Sequence, residues 1–259
     1  MCAVFVLINR KEDYVLANLF FGLGMILANS IGFFYLVKTY GVSLGGFSLA
    51  PAYQILREEF SFSVSQFFLS IYQFFPIMIV SYIGGDFMAG QFRVIDQIVS
   101  IFKSYQNIFF YFVYANICYE LDKNLKRGMA VWKQYNGLNF LMLLGIVAVF
   151  FWKAELIFTY FKIDATQMES VVYYFRMALA IPMLIAVSMP LRQLMFAFEK
   201  NRIYITITIV ATIANLILLL ALTQWYQLEG SFFSIIFIEF IVIVLYVFIL
   251  GKNLRQALN

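Results

Sequence analysis

The sequence predicts an all-α integral membrane protein with about seven transmembrane helices. Three observations carry this. Of its 259 residues 63% are hydrophobic and only 12% charged, where a soluble domain is nearer half apolar and a quarter charged. Mean hydropathy is +0.86. The apolar runs are about 20 residues long and do not alternate, which selects helices over barrel strands.

Each element follows from the chain in order. The start, MCAVFVLINRKEDY, lacks a basic leader and holds only a short apolar run. It is neither a signal peptide nor a full span and reads as the tail of a helix that begins upstream. The first span covers about 14–37 and ends near Lys38 and the glycines that precede Pro51. Residues 51–60 read as an amphipathic approach to the second span, about 61–83, which contains Pro76 and closes at Gly84-Gly85-Asp86. The third is about 88–116. The charged segment 119–137 is expected at the interface. The fourth span is about 138–158, and a loop with Lys162, Asp164 and Glu169 follows it. The fifth covers about 170–190, with Pro182 and Pro190 as expected kinks. The loop from Arg192 to Arg202 leads to the sixth, about 203–223, and a short turn to the seventh, about 231–250.

Loop charge orients these spans. One set of loops holds eleven Lys and Arg, among them Lys123, Lys126, Arg127, Lys200, Arg202 and Lys252. The other holds five: Arg10, Lys11, Arg93, Lys153 and Lys162. The richer side, and with it the C-terminus, is expected in the cytoplasm. Seven spans then place Met1 outside, which is the expectation for a chain whose preceding helices, odd in number, are missing. The net charge of +4 belongs to this asymmetry and does not call for nucleic acid. With Cys2, Cys118 and no histidine, a disulfide framework, a His/Cys metal site and histidine-based nucleophilic catalysis are all excluded.

Polar residues inside the spans are the candidates for function. At about 100° per residue, Arg93, Asp96, Gln97, Ser100, Lys103, Ser104, Asn107, Tyr111 and Tyr114 fall within an arc of roughly 120°. Such a stripe must face protein or water, because each buried charge costs about 2.5–3.5 kcal/mol on insertion scales. Arg93 and Asp96 are spaced to pair, and Lys103 has no acid nearby in its turn. The stripe reads as a cationic cavity wall, or as an interfacial Arg93 neutralised by Asp96 with Lys103 paired to another helix. Ser63, Gln66, Ser70 and Gln73 share one face of the second span, as cavity lining or as interhelical hydrogen bonds. Asn18, Gly22 and Asn29 share a packing face of the first. Arg176 is either a second phosphate contact or a snorkelling cation paired with Glu169 or Asp164. Glu239, within IIFIEFIVIV, is either a protonation or cation-coupling site or a structural, hydrogen-bonded acid.

Four local patterns together resemble the polysaccharide-transporter flippases, the O-antigen (Wzx-type) members of the multidrug/oligosaccharidyl-lipid/polysaccharide superfamily. They are Arg10-Lys11-Glu12-Asp13-Tyr14, Leu56-Arg57-Glu58-Glu59-Phe60-Ser61-Phe62 with Ser65-Gln66, Ala89-Gly90-Gln91-Phe92, and Phe198-Glu199-Lys200-Asn201-Arg202. They occur in family order over nearly the whole chain. The resemblance implies that residues 1–50 are the last helix of a first lobe plus a linker, and that 51–259 are the second six-helix lobe. It implies a partial protein of the bacterial inner membrane that flips undecaprenyl-diphosphate-linked O-antigen repeat units. The substrate would be held by Arg93, Asp96, Gln97, Ser100, Lys103, Asn107, Gln66, Gln73 and Arg176. No cofactor is implied, though H+ or Na+ coupling through Glu239 is allowed for. Membrane lipid, a polysaccharide polymerase and a chain-length regulator are the implied partners. A flippase is not an enzyme. The competing expectations are a membrane-embedded polymerase or glycosyltransferase, for which the outer loops are short, and a drug or cation antiporter, for which an acidic, aromatic cavity is expected instead.

Overall fold

The computed structural model describes residues 14–41, 49–160, 163 and 165–258. The 10–13 motif, Lys162 and Asp164 lie outside the described residues, as do the side chains of Asn18, Ser63 and Gln66. Nearly every described residue is helical, and no strand occurs among them. In order, the helices are α1 (Tyr14–Tyr40), α2 (Leu49–Lys123), α3 (Leu125–Trp152), α4 (Ala154–Tyr160), α5 (Ala165–Ala178), α6 (Ala180–Ala197) and α7 (Asn201–Leu258). The chain forms two units, Met1–Glu58 and Glu59–Asn259.

Within the first unit, α1 exposes large apolar side chains all round, including Ile26, Ile31 and Phe34. Asn29 satisfies its amide inside the helix, donating to the Met25 carbonyl at 2.8 Å. Gly41, at φ 60°, ends the helix, because a left-handed residue just past a helix terminus is most easily glycine.

Among the described residues, five stretches are long and apolar enough to cross a bilayer. Two of them are too long to cross only once. Phe67–Lys123 has 57 residues, roughly 85 Å of helix against a hydrocarbon core of about 30 Å. Each long stretch is broken by one residue. Gly85 has φ 69° and ψ −174°, and Gln227 has φ 53° and ψ −132°. Breaking two of five stretches gives seven membrane segments, the number the sequence predicts. Gly85 occupies a region of backbone space that is essentially glycine-only. Gly85→Ala is expected to destabilise the second unit by about 1–3 kcal/mol, seen as a lower melting temperature in detergent.

The structure shows how the connections are made. Residues 119–137 are divided between two helices. Here α2 runs to Lys123, Asn124 alone connects, and α3 starts at Leu125 with the Asn124 side chain accepting from the Arg127 N–H at 3.0 Å. Gly128 makes this possible, since it lies so close to the Leu121 backbone that a Cβ would collide with it. Residues 51–60, expected as an amphipathic approach, are helical. In the fifth span α5 ends at Ala178 and α6 starts at Ala180, but Leu179 between them keeps helical angles (φ −64°, ψ −15°) and donates to the Phe175 carbonyl at 3.0 Å, so the interruption beside Pro182 is slight.

The core of the second unit has two parts. The larger gathers Phe92, Ile95, Phe102, Leu143, Phe158, Phe175, Leu179 and Phe232. Phe92 stacks on Phe232 at 5.0 Å, and Phe158 meets Phe175 edge-on at 5.1 Å. The smaller, built from Leu194, Met195, Tyr204, Tyr246 and Leu250, lies by the 198–200 turn. There Glu199, at φ 55°, ends α6. Lys200 N–H donates to the Met195 carbonyl at 2.8 Å and Glu199 N–H to that of Phe196 at 3.0 Å, the pair of bonds of a Schellman motif.

Candidate functional site

The second half of α2 presents three sectors. Phe92, Ile95, Val99, Phe102, Gln106, Phe110 and Ile117 are buried against the rest of the unit. Ile101, Ile108 and Phe112 are 67%, 71% and 82% exposed, an apolar surface suited to lipid. Between these two lie the polar residues. Arg93, Gln97, Ser104, Asn107 and Tyr111 are exposed, while Asp96, Ser100 and Lys103 are half-buried. The polar sector is therefore distinct both from the core and from the lipid-suited surface.

Charge within the sector is arranged differently from the expected Arg93–Asp96 pair. Lys103 Nζ lies 3.3 Å from Asp96 Oδ1. The residues are seven apart, two helical turns on the same side, and the long lysine stem reaches back along the helix. So Lys103 does have an acid partner on its own helix, two turns away. Arg93 makes no ion pair among the described residues and stands exposed. On the first half of α2, Gln73 is exposed.

Arg176 is occupied elsewhere. Its Nε donates to the Phe151 carbonyl at 3.2 Å, and its guanidinium sits 5.2 Å from the Phe151 ring centroid. Phe151 belongs to the last turn of α3, where carbonyls lack helical partners. Arg176 thus caps α3 from α5 and makes no ion pair with Glu169, while Asp164, its other expected partner, lies outside the described residues.

Glu239 lies in a cavity of about 100 Å³ bounded by both halves of α7, by α6 and by the first half of α2. Ser188 Oγ donates to Glu239 Oε1 at 2.5 Å. Tyr72, Arg192, Tyr204, Thr208, Thr212 and Tyr246 also line it. Two buried polar atoms there have no hydrogen-bond partner: the Tyr72 hydroxyl and Arg192 Nε. The Arg192 guanidinium rests 4.7 Å from the Phe110 ring centroid. Thr208 and Thr212 donate back to the Tyr204 and Thr208 carbonyls at 3.0 and 2.8 Å, leaving oxygen lone pairs free. Thr212 also approaches the Phe68 carbonyl at 3.4 Å.

Sequence reasoning missed Arg192, assigned to a loop because a charge two residues past Pro190 reads as a span's end. It also missed Ser188, Thr208 and Thr212. The available signals were a serine deep in an apolar span, and two threonines four apart in another.

A second polar cluster ties α2, α3 and α6 together. Gln106 Nε2 donates to the Pro182 carbonyl at 3.0 Å, Trp132 Nε1 to that of Pro190 at 3.1 Å, and Asn136 Nδ2 to Gln193 Oε1 at 3.1 Å. These bonds tie the three helices together, although the buried Gln106 Oε1 has no hydrogen-bond partner. Among the described residues no group of acidic, histidine or cysteine side chains is placed to hold a metal ion.

No family model and no curated protein matches the chain. Among solved structures it is similar to one described as the outward-facing conformation of a multidrug resistance MATE family transporter of the MOP superfamily. The TM-score is 0.62 and the identity 16%, covering 84% of this chain and 50% of that one. The likeness shows the fold, that of a multi-pass helical membrane protein, and the chain spans about half the length of the protein it matches.

Proposed function

We propose that this chain is one lobe of a membrane transporter that moves an anionic, lipid-linked oligosaccharide across the bilayer. The observation that carries the reading is the sectoring of α2. Beside a lipid-suited surface of Ile101, Ile108 and Phe112, the same helix turns Arg93, Gln97 and Asn107 outward. Arginine in contact with hydrocarbon is costly, so this sector lines a hydrated cavity shared with a second lobe. Arg93 binds phosphate oxygens as a planar fork. Gln97, Ser100 and Asn107 hydrogen-bond sugar hydroxyls. The Lys103–Asp96 pair keeps the wall polar without a large net charge. Gln73 extends it, Gln66 joins it from the second span, and Arg176 braces the helices behind it.

The chemistry is transfer without bond making. The lipid tail stays in the bilayer while fixed polar groups replace the water around the head group. Alternation between lobes about the midplane exposes it to each side in turn. A polysaccharide polymerase and its chain-length regulator would take up the product at the inner membrane's outer face.

The two transporter readings are separated by substrate. In a strain lacking its own flippase, the chain joined to a matching first lobe is expected to restore surface glycan and to leave resistance to cationic drugs unchanged. Drug resistance without glycan export would replace this reading by the antiporter.

A further inference from the structure

The cavity around Glu239 has features that the substrate wall does not use. It brings one carboxylate and one guanidinium into a single pocket, with hydroxyls from Tyr72, Ser188, Thr208 and Thr212 around them. Its volume of about 100 Å³ holds several water molecules, since each needs roughly 10–15 Å³ and two to four polar partners. The unpartnered Tyr72 hydroxyl and Arg192 Nε are such partners, one able to accept or donate and the other only to donate.

We propose that this cavity is a hydrated proton-binding site, with Glu239 as the group that takes the proton and Arg192 as its resident cation in place of a metal ion. The donor set favours it. A metal ion and a proton each add one positive charge, but a metal ion needs several oxygen ligands, and the Arg192 guanidinium in the lining only donates and offers it none. A proton needs a single carboxylate oxygen, where it forms one O–H bond, leaving the guanidinium as the pocket's charge beside the Phe110 ring. Ser188 now donates to the carboxylate. After protonation the new O–H is itself a donor, and Tyr72 or Ser188 oxygen can accept it.

The groups that face Glu239 come from every packed element. They are Tyr72 from the first half of α2, Ser188 and Arg192 from α6, and Tyr204 and Tyr246 from the two halves of α7. Lys103, from the second half of α2, also acts on Glu239 through its charge. One proton therefore changes the charge in a pocket shared by four membrane segments. Its use in driving transport rests on the transporter reading above, whereas the binding site itself does not.

Infrared difference spectra of the chain in lipid nanodiscs, taken across a pH titration in sodium or in N-methylglucamine, test the proposal without any transport. A carboxylic acid band is expected that titrates identically in the two cations and is lost in Glu239→Gln. In Arg192→Gln the band is expected to become sodium-sensitive. Arg192→Lys, which keeps the charge, is expected to stay insensitive, and this separates an electrostatic effect from misfolding. A wild-type band displaced by sodium would overturn the proposal in favour of a metal site. So would a spectrum unchanged by Glu239→Gln. Absence of sodium sensitivity in Arg192→Gln would overturn the role given to Arg192. Failed glycan export with the band intact would strike the transporter reading alone.

Discussion

Replacing Arg93 and Lys103 together by alanine is expected to reduce export of the lipid-linked oligosaccharide by more than about tenfold at equal membrane abundance. Hydrogen bonds to charged groups are each worth about 1.5–3 kcal/mol, and 1.4 kcal/mol is a tenfold change. Even one lost phosphate contact therefore reaches this size. Arg93 is the more exposed residue and makes no ion pair among the described residues, so its removal exposes no buried acid. Lys103→Ala by itself leaves the half-buried Asp96 carboxylate without its partner at 3.3 Å, and a loss could then be structural. The control is Asp96→Asn with Lys103→Met, which removes both charges at once. If Lys103 serves the substrate, this pair folds but does not restore export. Full export from the pair would remove Lys103 from substrate binding, and full export from the Arg93/Lys103 double variant would remove the cationic wall from the mechanism.

The second large effect belongs to the last helical hairpin. Gly230 lies against the backbone of Leu222, and an added Cβ would run into the Leu222 carbonyl oxygen. Nearby, Thr223 and Ser231 share a hydrogen bond of 2.9 Å between their hydroxyls. A backbone atom cannot rotate aside as a side chain can, so Gly230→Ala must spread the two halves of α7. Overpacking of this kind costs about 1–3 kcal/mol. A fall in melting temperature of several degrees is expected, with earlier proteolysis of the final span. Gly145→Ala is the matched control. A Cβ there meets nothing within 4 Å, and removing a mid-helix glycine is worth about 0.5–1 kcal/mol of added stability. Equal behaviour of the two variants would show that the hairpin is not held by close approach at Gly230.

The segments were legible because a bilayer demands long apolar runs and helices satisfy their own backbone. The polar sector of α2 was legible for a related reason. Helical periodicity sorts residues by angle, and the angles of Arg93, Gln97 and Asn107 separate them from both Phe102 and Ile108. The ion pair was not legible. Spacing of three favoured Arg93–Asp96, whereas a two-turn reach from Lys103 is set by side-chain length and surroundings. The cavity at Glu239 was half legible. A lone acid in an apolar run marks a site, but its partners come from residues 51 positions away at Ser188 and farther still at Tyr72. Hydropathy along one chain cannot bring these together. It also mistook Arg192 for a loop residue, since an arginine that solvates itself on an aromatic ring and in a polar cavity looks, in one dimension, like one that has reached water.

The interruption between α5 and α6 lies inside a stretch long enough to span the membrane, Ala165–Ala197. Pro182 has no N–H to offer the Ala178 carbonyl, while Leu179 keeps helical angles and its bond to Phe175. The half beyond it is tied to α2 and α3 through Gln106, Trp132 and Asn136, and the same half carries Ser188 and Arg192 into the cavity. One crossing segment thus serves both as a strut between its neighbours and as a wall of the polar pocket.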